Sequence, residues 1–358
     1  MNINQYHFFN MRKHLVLFLF CVSTVCCAQE NTGALVTRDF VFGDDRPFKE
    51  CHASTLVRLD DGNFLVAWFG GTREKNPDVG IWMSKGKPGK WSAPQQVAKI
   101  RNDAHWNPVL FNDGKGTVYL YFKVGKDVPV WETWVITSKN GGATWSEPVE
   151  LVKGDIGGRG PVRCKPIILS NGTWLAGASH EDERPGGLWD VFVDRSEDKG
   201  KTWVTTPYII LDRSQFNGKG VIQPTLWEST PGNVHMLVRS TDGKIYRSDS
   251  KDFGKSWSFF YATDMPNNNS GIDLVKLPDG SLALVYNPVS GNWASRAKLN
   301  LDISYDNGLT WPKKIVLEND TERAEYSYPA IINYGNRVAL TYTWKRQRVV
   351  FWEFEIKK

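Results

Sequence analysis

The chain carries Ser196–Trp203 (SEDKGKTW) and repeats this stretch along most of its length. The same pattern returns as Ser250–Trp257 (SKDFGKSW) and as Ser304–Trp311 (SYDNGLTW). An earlier copy, Ser138–Trp145 (SKNGGATW), has Asn in place of Asp, and an eroded copy runs from Ser84 to Trp91. The five tryptophans that end these copies are 54, 58, 54 and 54 residues apart. A constant period of this length predicts an array of similar structural units.

Each copy has the composition of a hairpin turn. Asp or Asn followed by Gly forms tight turns, and the Ser and Thr hydroxyls can bond to the turn backbone while the Trp covers the base of the hairpin. Each period also holds short apolar strands around a polar turn, such as Ser54–Leu59 and Phe64–Trp68 around Asp60–Gly62. Four strands in a period of about 50 residues are typical of one blade of a β-propeller.

The repeats therefore predict an all-β chain, a six-bladed β-propeller of four-stranded antiparallel blades. The last period stops after its third strand, Val349–Ile356. The segment Gly33–Phe42 can supply the missing outer strand, which would close the ring and cover its edges. We expect residues 29–358 to form a single propeller domain.

Composition agrees with this fold and excludes other classes. The chain has 358 residues with 13% aromatic and 23% charged content, which fits a β-rich globular protein and neither a helical bundle nor a disordered chain. The net charge of +5 falls to +3 without Arg12 and Lys13. No run of Lys and Arg is present, so we expect no nucleic-acid partner.

The N-terminus has the pattern of a secretory signal peptide. A basic stretch, Met11–Lys13, precedes an apolar run, Leu15–Cys27, and then the small residue Ala28. The run is too short to span a bilayer, so we expect export to the periplasm or the medium with cleavage near Ala28 and no membrane span. The alternative is a buried N-terminal helix. Cys26 and Cys27 lack the Leu-small-small pattern of lipoproteins, so we expect no lipid anchor.

Two cysteines, Cys51 and Cys164, remain in the mature chain, and we expect them to be unpaired. His-x-x-x-His and Cys-x-x-Cys spacings and Gly-rich phosphate loops are missing from the sequence, so we predict no metal and no cofactor. We expect a monomer.

One mouth of the central channel is the default place for a binding site. In a propeller the innermost strand of a blade begins on the face where the second strand ends, so both sets of residues surround one mouth. The strand starts are Glu50–His52, His105–Asn107, Arg163–Lys165, Ile222–Gln223, Asn269–Ser270 and Glu325–Tyr328. The second-strand ends are Arg73–Glu74, Lys123, His180–Glu181, Arg239, Asn287 and Trp344–Arg346. The excess of cations there predicts an anionic ligand.

The repeated boxes resemble the Asp-box repeats of the sialidase superfamily over the whole mature chain. Sialidases hold the substrate carboxylate with three arginines and use a Tyr nucleophile assisted by Glu, with an Asp as acid and base. The resemblance places Arg239 and Arg296 at the second and third arginine. It places Tyr326 at the nucleophile and Asp78 near the acid.

Two positions depart from that pattern. His52 stands where the first arginine is expected, and Gln223 replaces the Glu that assists the Tyr. A phenol needs a neighbouring base to attack an anomeric carbon at neutral pH, and Gln cannot provide one. The pair of His52 and Tyr326 instead suits β-elimination on a uronic acid, in which one group removes the C5 proton and the other protonates the group leaving C4. Arg239 and its neighbours would neutralise the carboxylate.

The chain is also similar to the sialidase-like proteins of bacterial systems that degrade acidic polysaccharides, which include uronate-acting lyases, an ulvan oligosaccharide dehydratase and rhamnosidases. This implies an acidic, ulvan-type oligosaccharide as substrate. A glycoside hydrolase of sialidase or rhamnosidase type and a non-catalytic glycan-binding propeller remain as alternatives. Tyr328 is the alternative phenol. The predicted catalytic residues are His52, Tyr326 and Arg239, and the predicted substrate-binding residues are Arg296, Arg73, Gln223, His105, Lys165, His180 and Trp344.

Overall fold

The computed structural model describes residues 33–321 and 323–356, so the predicted signal peptide lies outside the described residues. These residues contain short strands and one 3₁₀ turn, Val128–Val130. The strands of the first half are β1 (Gly33–Phe40), β2 (Glu50–Arg58), β3 (Phe64–Gly71), β4 (Gly80–Lys87), β5 (Lys90–Trp91), β6 (Gln95–Ala98), β7 (His105–Asn112), β8 (Val118–Val124), β9 (Glu132–Ser138), β10 (Val149–Glu150), β11 (Ile167–Ile168), β12 (Trp174–Glu181), β13 (Trp189–Ser196) and β14 (Val204–Thr205). Those of the second half are β15 (Val221–Thr230), β16 (Asn233–Ser240), β17 (Lys244–Ser250), β18 (Tyr261–Pro266), β19 (Asp273–Lys276), β20 (Leu282–Tyr286), β21 (Lys298–Ser304), β22 (Lys313–Asn319), β23 (Tyr326–Tyr334), β24 (Arg337–Trp344) and β25 (Arg348–Ile356).

The strands form six antiparallel sheets, which confirms the predicted six-bladed propeller. Blades 1 to 5 follow the chain in order, as β2 to β5, β7 to β10, β11 to β14, β15 to β18 and β19 to β22, with β6 added against β4. The innermost strands pack side by side, since β2 contacts both β7 and β23, and β19 contacts both β15 and β23.

Blade 6 joins the two ends of the described chain. Its order is β23, β24, β25 and then β1, which pairs antiparallel with β25 from Gly33 opposite Ile356 to Phe40 opposite Val350. The predicted closing strand is therefore confirmed, and it covers the edge that β25 would otherwise expose.

The repeated boxes form the predicted turns. In blade 3 the Ser196 hydroxyl donates to Asp198 at 2.8 Å and accepts from the amide of Gly200 at 2.7 Å. Asp198 also accepts from the amide and hydroxyl of Thr202. Blades 4 and 5 repeat these bonds, and blade 2 keeps most of them with Asn140. In blade 1 the eroded copy forms a different turn, in which the Ser84 hydroxyl donates to the carbonyl of Ser92.

Four of the innermost strands carry a β-bulge near their first residues. The pairing register shifts between His52 and Thr55, Trp106 and Val109, Ile222 and Thr225, and Ser327 and Ala330. Within these bulges the residues with a left-handed backbone are Ala53 (φ 54°), Asn107 (φ 41°), Gln223 (φ 58°) and Tyr328 (φ 54°). A bulge breaks the alternation of a strand and re-aims a side chain. The bulges therefore turn Asn107, Gln223 and Tyr328 toward one cavity at the channel mouth.

Cys51 and Cys164 are both buried and unpaired, as predicted. Across residues 33–321 and 323–356, no helix is long and apolar enough to cross a membrane. The same residues hold no group of three His, Cys, Asp or Glu side chains that could bind a metal ion.

Candidate functional site

A cavity of about 240 Å³ lies at the predicted mouth, among the starts of innermost strands and the ends of second strands. Its walls combine carboxylates, cations, amides and aromatic rings. The lining residues are Glu74, Lys75, Trp106, Asn107, Val128, Trp131, Glu181, Glu183, Ile222, Gln223, Arg239, Trp293 and Tyr328. Such a mixture of flat and polar surfaces suits a sugar that carries charge.

Arg239, at the end of β16, is the best-connected residue of this cavity. It is 2% exposed, and all five of its N–H donors are engaged. Three go to Asn269, while Nη1 donates to Gln223 Oε1 at 3.1 Å and to the Tyr328 hydroxyl at 2.6 Å. An anion that reaches Arg239 must therefore approach Nη1 and share it with Gln223 and Tyr328, because only those partners line the cavity along with the guanidinium.

Tyr328, and not Tyr326, presents its hydroxyl to the arginine. The Tyr326 hydroxyl donates to Asp320 at 2.7 Å, and burial raises the pKa of this phenol. In a regular strand, side chains two residues apart point to the same side, so Tyr326 and Tyr328 would do so. The bulge at Tyr328 turns its side chain to a different side. The geometry therefore favours Tyr328, the alternative phenol, over Tyr326.

Three arginines surround the ring of Tyr328. The guanidinium carbons of Arg163, Arg239 and Arg296 lie 5.2, 5.6 and 5.7 Å from its centre. Arg163 is almost completely buried, and its Nη2 donates across the channel to the carbonyl of Pro329 at 2.5 Å. These cations favour a negatively charged ligand bound beside the ring.

His52 lies behind Tyr328 rather than on the cavity wall. Its ring is 4.2 Å from the ring of Tyr328, centre to centre, and its Nδ1 bonds to the Thr343 hydroxyl at 2.9 Å. Burial, together with nearby arginines such as Arg346, lowers the pKa of His52 well below its usual value. Burial thus favours the neutral imidazole, and its observed contacts hold Tyr328 in place.

Gln223 connects Arg239 with a buried carboxyl. Its Oε1 accepts from Arg239, and its Nε2 donates to Glu181 Oε1 at 3.3 Å. The Ser179 hydroxyl donates to the same oxygen of Glu181 at 2.8 Å. Burial raises the pKa of Glu181, and Arg239 opposes the shift only in part.

Arg296 reaches the site from the loop before β21. Its Nη1 donates to Glu325 at 3.1 Å, and Arg346 donates to the same carboxylate and to Glu74. Burial disfavours the charged form of Glu325, but Arg346 and Arg296 outweigh this and lower its pKa. Arg296 is thus beside Tyr328, as the resemblance implies, but it shares its charge with Glu325.

Three predicted binding residues lie at other places. The side chain of Arg73 is exposed and is not among the cavity residues, although Glu74 and Lys75 are. The Lys165 ammonium pairs with Asp273 at 2.9 Å and faces another cavity, of about 340 Å³, at the opposite ends of the innermost strands. His180 lines a cavity of about 310 Å³ beside Arg159 and Tyr208, because strand alternation turns it away from the side that Glu181 faces.

His105 and Trp344 have structural surroundings. Both ring nitrogens of His105 are bonded to backbone groups, the amide of Ile100 and the carbonyl of Asp103. Burial lowers the pKa of His105 to about 4. Trp344 packs edge-on against Phe40 of the closing strand, with ring centres 5.4 Å apart.

Two features of the cavity were not selected from the sequence. The sequence placed Glu181 at the mouth but gave it no predicted role. Its contact with Gln223 joins two neighbouring blades, and the sequence does not show how side chains of different blades meet. Trp293 is 61% exposed and lies 5.5 Å from Arg296, on a loop between β20 and β21. Trp293 could have been found from the sequence, because it is an aromatic residue inside a loop-like stretch of Gly, Asn and Ser, Ser290–Ser295.

Residues 62–340 match the model of the BNR repeat-like domain. The chain belongs to the BNR repeat-like domain family. The match spans the boxes of five blades and confirms the predicted repeat family, and the predicted resemblance of this BNR repeat-like protein to sialidases holds at the level of the fold. No curated protein sequence matches it.

Solved structures share the fold of this BNR repeat-like protein at low identity. A protein of unknown function from Dyadobacter fermentans is 18% identical, with a TM-score of 0.73 over 91% of this chain and 100% of the other. The NanB sialidase of Streptococcus pneumoniae, as a mutant, is 15% identical, with a TM-score of 0.66 over 89% and 70%. Trypanosoma rangeli sialidase, as a covalent intermediate with difluorosialic acid, is 15% identical, with a TM-score of 0.65 over 86% and 55%. The chain thus spans little more than half of that sialidase.

Proposed function

We propose that this protein is an exported carbohydrate-active enzyme that acts on the non-reducing-end uronic acid of acidic, ulvan-type oligosaccharides. The reaction is a β-elimination across C4 and C5, so the enzyme is a lyase if a sugar leaves and a dehydratase if a hydroxyl leaves. The shared fold of the sialidases supports a glycan ligand, and the residues of this cavity support the choice of reaction.

The contact between Arg239 and Tyr328 carries the proposal. In the part of the chain that the structure describes, the Tyr328 hydroxyl bonds to Arg239, and Gln223 stands beside it where a sialidase has a Glu. A guanidinium donor stabilises a phenol oxygen that carries negative charge, and such an oxygen can accept a proton from carbon. A sialidase-type attack on an anomeric carbon uses a Glu beside the Tyr, and Gln223 stands in its place.

The unpaired positive charge of Arg239 indicates that the ligand has a negatively charged group. Among the described residues no carboxylate forms an ion pair with Arg239, whereas Arg296 and Arg346 are paired with Glu325. A buried guanidinium without a counter-ion is costly, and a bound carboxylate would reduce that cost. A uronate carboxylate at C6 meets this need and also acidifies the adjacent C5 proton.

The steps balance in atoms and electrons. In its ionised form Tyr328 takes the proton from C5, and the C5–H electron pair forms the C4=C5 double bond. The C4–O bond breaks with its electron pair on the leaving oxygen, which then takes up a proton. The arginines stabilise the negative charge that develops on the carboxylate during this step. His52 keeps the phenol ring in place through its 4.2 Å contact.

Absorbance near ~230 nm tests the reaction, because the new double bond conjugated to the carboxylate absorbs there and a hydrolysed product does not. The mature chain would be incubated with a panel of uronic-acid oligosaccharides and with sialyl-lactose. A rise that the variant Tyr328→Phe abolishes supports elimination at this cavity. Free sialic acid or another free sugar without a rise contradicts it, and binding without any product identifies a glycan-binding propeller instead.

A glycoside hydrolase is the second candidate because three carboxyl groups, those of Glu74, Glu181 and Glu183, line the same cavity. Most glycosidases use a pair of carboxyl groups, one of them protonated. The raised pKa of Glu181, caused by burial, fits a protonated member of such a pair. This enzyme would release a reducing sugar with no ultraviolet absorbance.

A further inference from the structure

Glu181 is a carboxyl group at the cavity that the proposed reaction has not yet used. It ends β12, is 5% exposed, and lines the cavity together with Gln223 and Tyr328. Its Oε1 accepts two hydrogen bonds, from Ser179 and Gln223, and both donors are neutral. In the described part of the chain no Lys, Arg or His forms an ion pair with it, in contrast to Glu74 and Glu325.

Gln223 has the side chain that this arrangement requires. Its amide oxygen accepts from Arg239, so its NH₂ group must point to Glu181, and the hydrogen-bond network assigns that orientation. An ionised Glu at this position could not donate to Glu181 and would place two carboxyl groups side by side. The replacement of the usual Glu by Gln is therefore explained by the neighbouring carboxyl.

The charges that face Glu181 come from several blades. The cations are Arg239 on β16, Lys123 on β8 and Lys75 after β3. The carboxyls are Glu183 after β12 and Glu74 after β3, and Tyr328 completes the wall. Burial lowers the pKa of Lys123 to about 7, which weakens its effect near neutral pH. Glu74 is already paired with Arg346. Burial of Glu181 is the largest influence, and it favours the protonated carboxyl.

We propose that Glu181 is the general acid that protonates the oxygen leaving C4. The assignment rests on the proposed function and completes it, since Tyr328 then acts as the base and Glu181 as the acid on two walls of one cavity. Three hydrogen bonds link them, from Glu181 through Gln223 and Arg239 to the Tyr328 hydroxyl, and they fix the separation of the two groups.

The proton balance follows directly. The Glu181 proton goes to the leaving oxygen as the C4–O bond breaks, which leaves a carboxylate, while the C5 proton ends on Tyr328. Solvent at the open cavity then removes the proton from Tyr328 and returns one to Glu181. No oxidant, reductant or further reactant is needed.

A leaving-group comparison with Glu181→Gln tests the assignment. In one substrate the leaving group at C4 of the uronate is a sugar joined through its oxygen. In the other it is a 4-nitrophenoxy group, which departs without protonation. For the variant we expect the rate with the sugar substrate to fall about 10²–10⁴-fold and the rate with the nitrophenoxy substrate to stay within about tenfold. The fall in rate at high pH, where wild type loses its acid, should also disappear in the variant.

Asp182→Asn is the matched control, because it changes a carboxyl one residue away that bonds to Arg184 outside the cavity. We expect it to leave both rates unchanged. Equal loss on both substrates, or no loss on either, for a folded Glu181→Gln protein overturns the assignment. If wild type itself produces no absorbance near ~230 nm from either substrate, the proposed elimination fails and the acid role falls with it, so the two failures are distinguishable.

Discussion

The Asp-box turns and the channel mouth are built by the same set of blades, but they differ in what is repeated. The turns of blades 3, 4 and 5 contain the same side chains in the same hydrogen bonds, from Ser196, Ser250 and Ser304 onward. At the mouth, the bulges place Asn107, Gln223 and Tyr328 at comparable points of three blades. Repetition at the turns specifies the blade, whereas variety at the mouth creates one asymmetric cavity.

The turns and the mouth also use polar side chains in two different ways. At the turns every carboxylate bonds to neighbours in its own hairpin, within four residues of chain. At the mouth, Arg239 bonds to Asn269 and Tyr328, which are 30 and 89 residues away. Local bonds stabilise each blade by itself, and the long-range bonds hold side chains from different blades in one geometry.

The largest expected effect distinguishes two buried arginines of blade 4. Arg239→Met removes the donor from Tyr328, and we expect activity to fall at least about 10³-fold because charge stabilisation is lost. Arg247→Met, at the turn end of the blade, removes bonds to Asp249 and Asn307 and should lower the melting temperature while activity is kept. Turnover and melting curves of both variants check this. Retained activity in Arg239→Met would show that the cavity at the channel mouth is not the active site.

The next effect concerns two tyrosines of one strand. Tyr328→Phe should reduce turnover by about 10²–10⁴-fold, the contribution of a positioned base. Tyr326→Phe loses only its bond to Asp320 and should cost about 1 kcal/mol of stability. Steady-state rates at matched folded fractions decide between them. The opposite order would restore Tyr326 as the working phenol.

A smaller effect concerns Trp293 at the rim. Stacking of a sugar on an aromatic ring contributes about 1 kcal/mol, so Trp293→Ala should raise KM several-fold with little change in kcat. Tyr305→Ala is the control, because Tyr305 is also exposed but belongs to the turn of blade 5. An equal change of KM in both variants would exclude a specific role for Trp293.

The smallest effect is expected from a substitution in one Asp-box turn, that of blade 4. The hydroxyl and amide of Ser256 lower the pKa of Asp252 although partial burial opposes them. A lowered pKa means that the turn contributes stability above about pH 4 and loses it as the pH falls. Asp252→Ala should cost about 1 kcal/mol at neutral pH. Asp252→Asn, which imitates Asn140 of blade 2, should reduce the free energy of unfolding by less. Its stability should also no longer fall with pH through this turn, which melting temperatures between about pH 7 and pH 3 would measure.

The fold could be predicted because its determinants are local and repeated. Ser, Asp, Gly and Trp at fixed spacing each bond within one hairpin, so the period of Trp91 to Trp311 reports the blades directly. The closing strand followed from the missing strand of the last period, since an open edge in blade 6 needs a partner. These inferences need no knowledge of how the blades meet.

The site could be predicted only in part, because it depends on backbone details between blades. The mouth, Arg239 and Gln223 were located from strand starts and ends. The choice between Tyr326 and Tyr328 depends on a bulge, and strand alternation decides that Glu181 rather than His180 faces the cavity. Lys165 was expected at this mouth, but its amine turns to Asp273 and the opposite end of the channel.

Mass balance of the products decides between elimination and hydrolysis, because the two reactions differ by one water. A purified uronic-acid oligosaccharide would be converted by the mature chain, with the Tyr328→Phe variant as control, and all products would be weighed by mass spectrometry. The account predicts products that together equal the mass of the substrate, or are lighter by one water if a hydroxyl leaves. Products that together are heavier by one water would establish hydrolysis and contradict it.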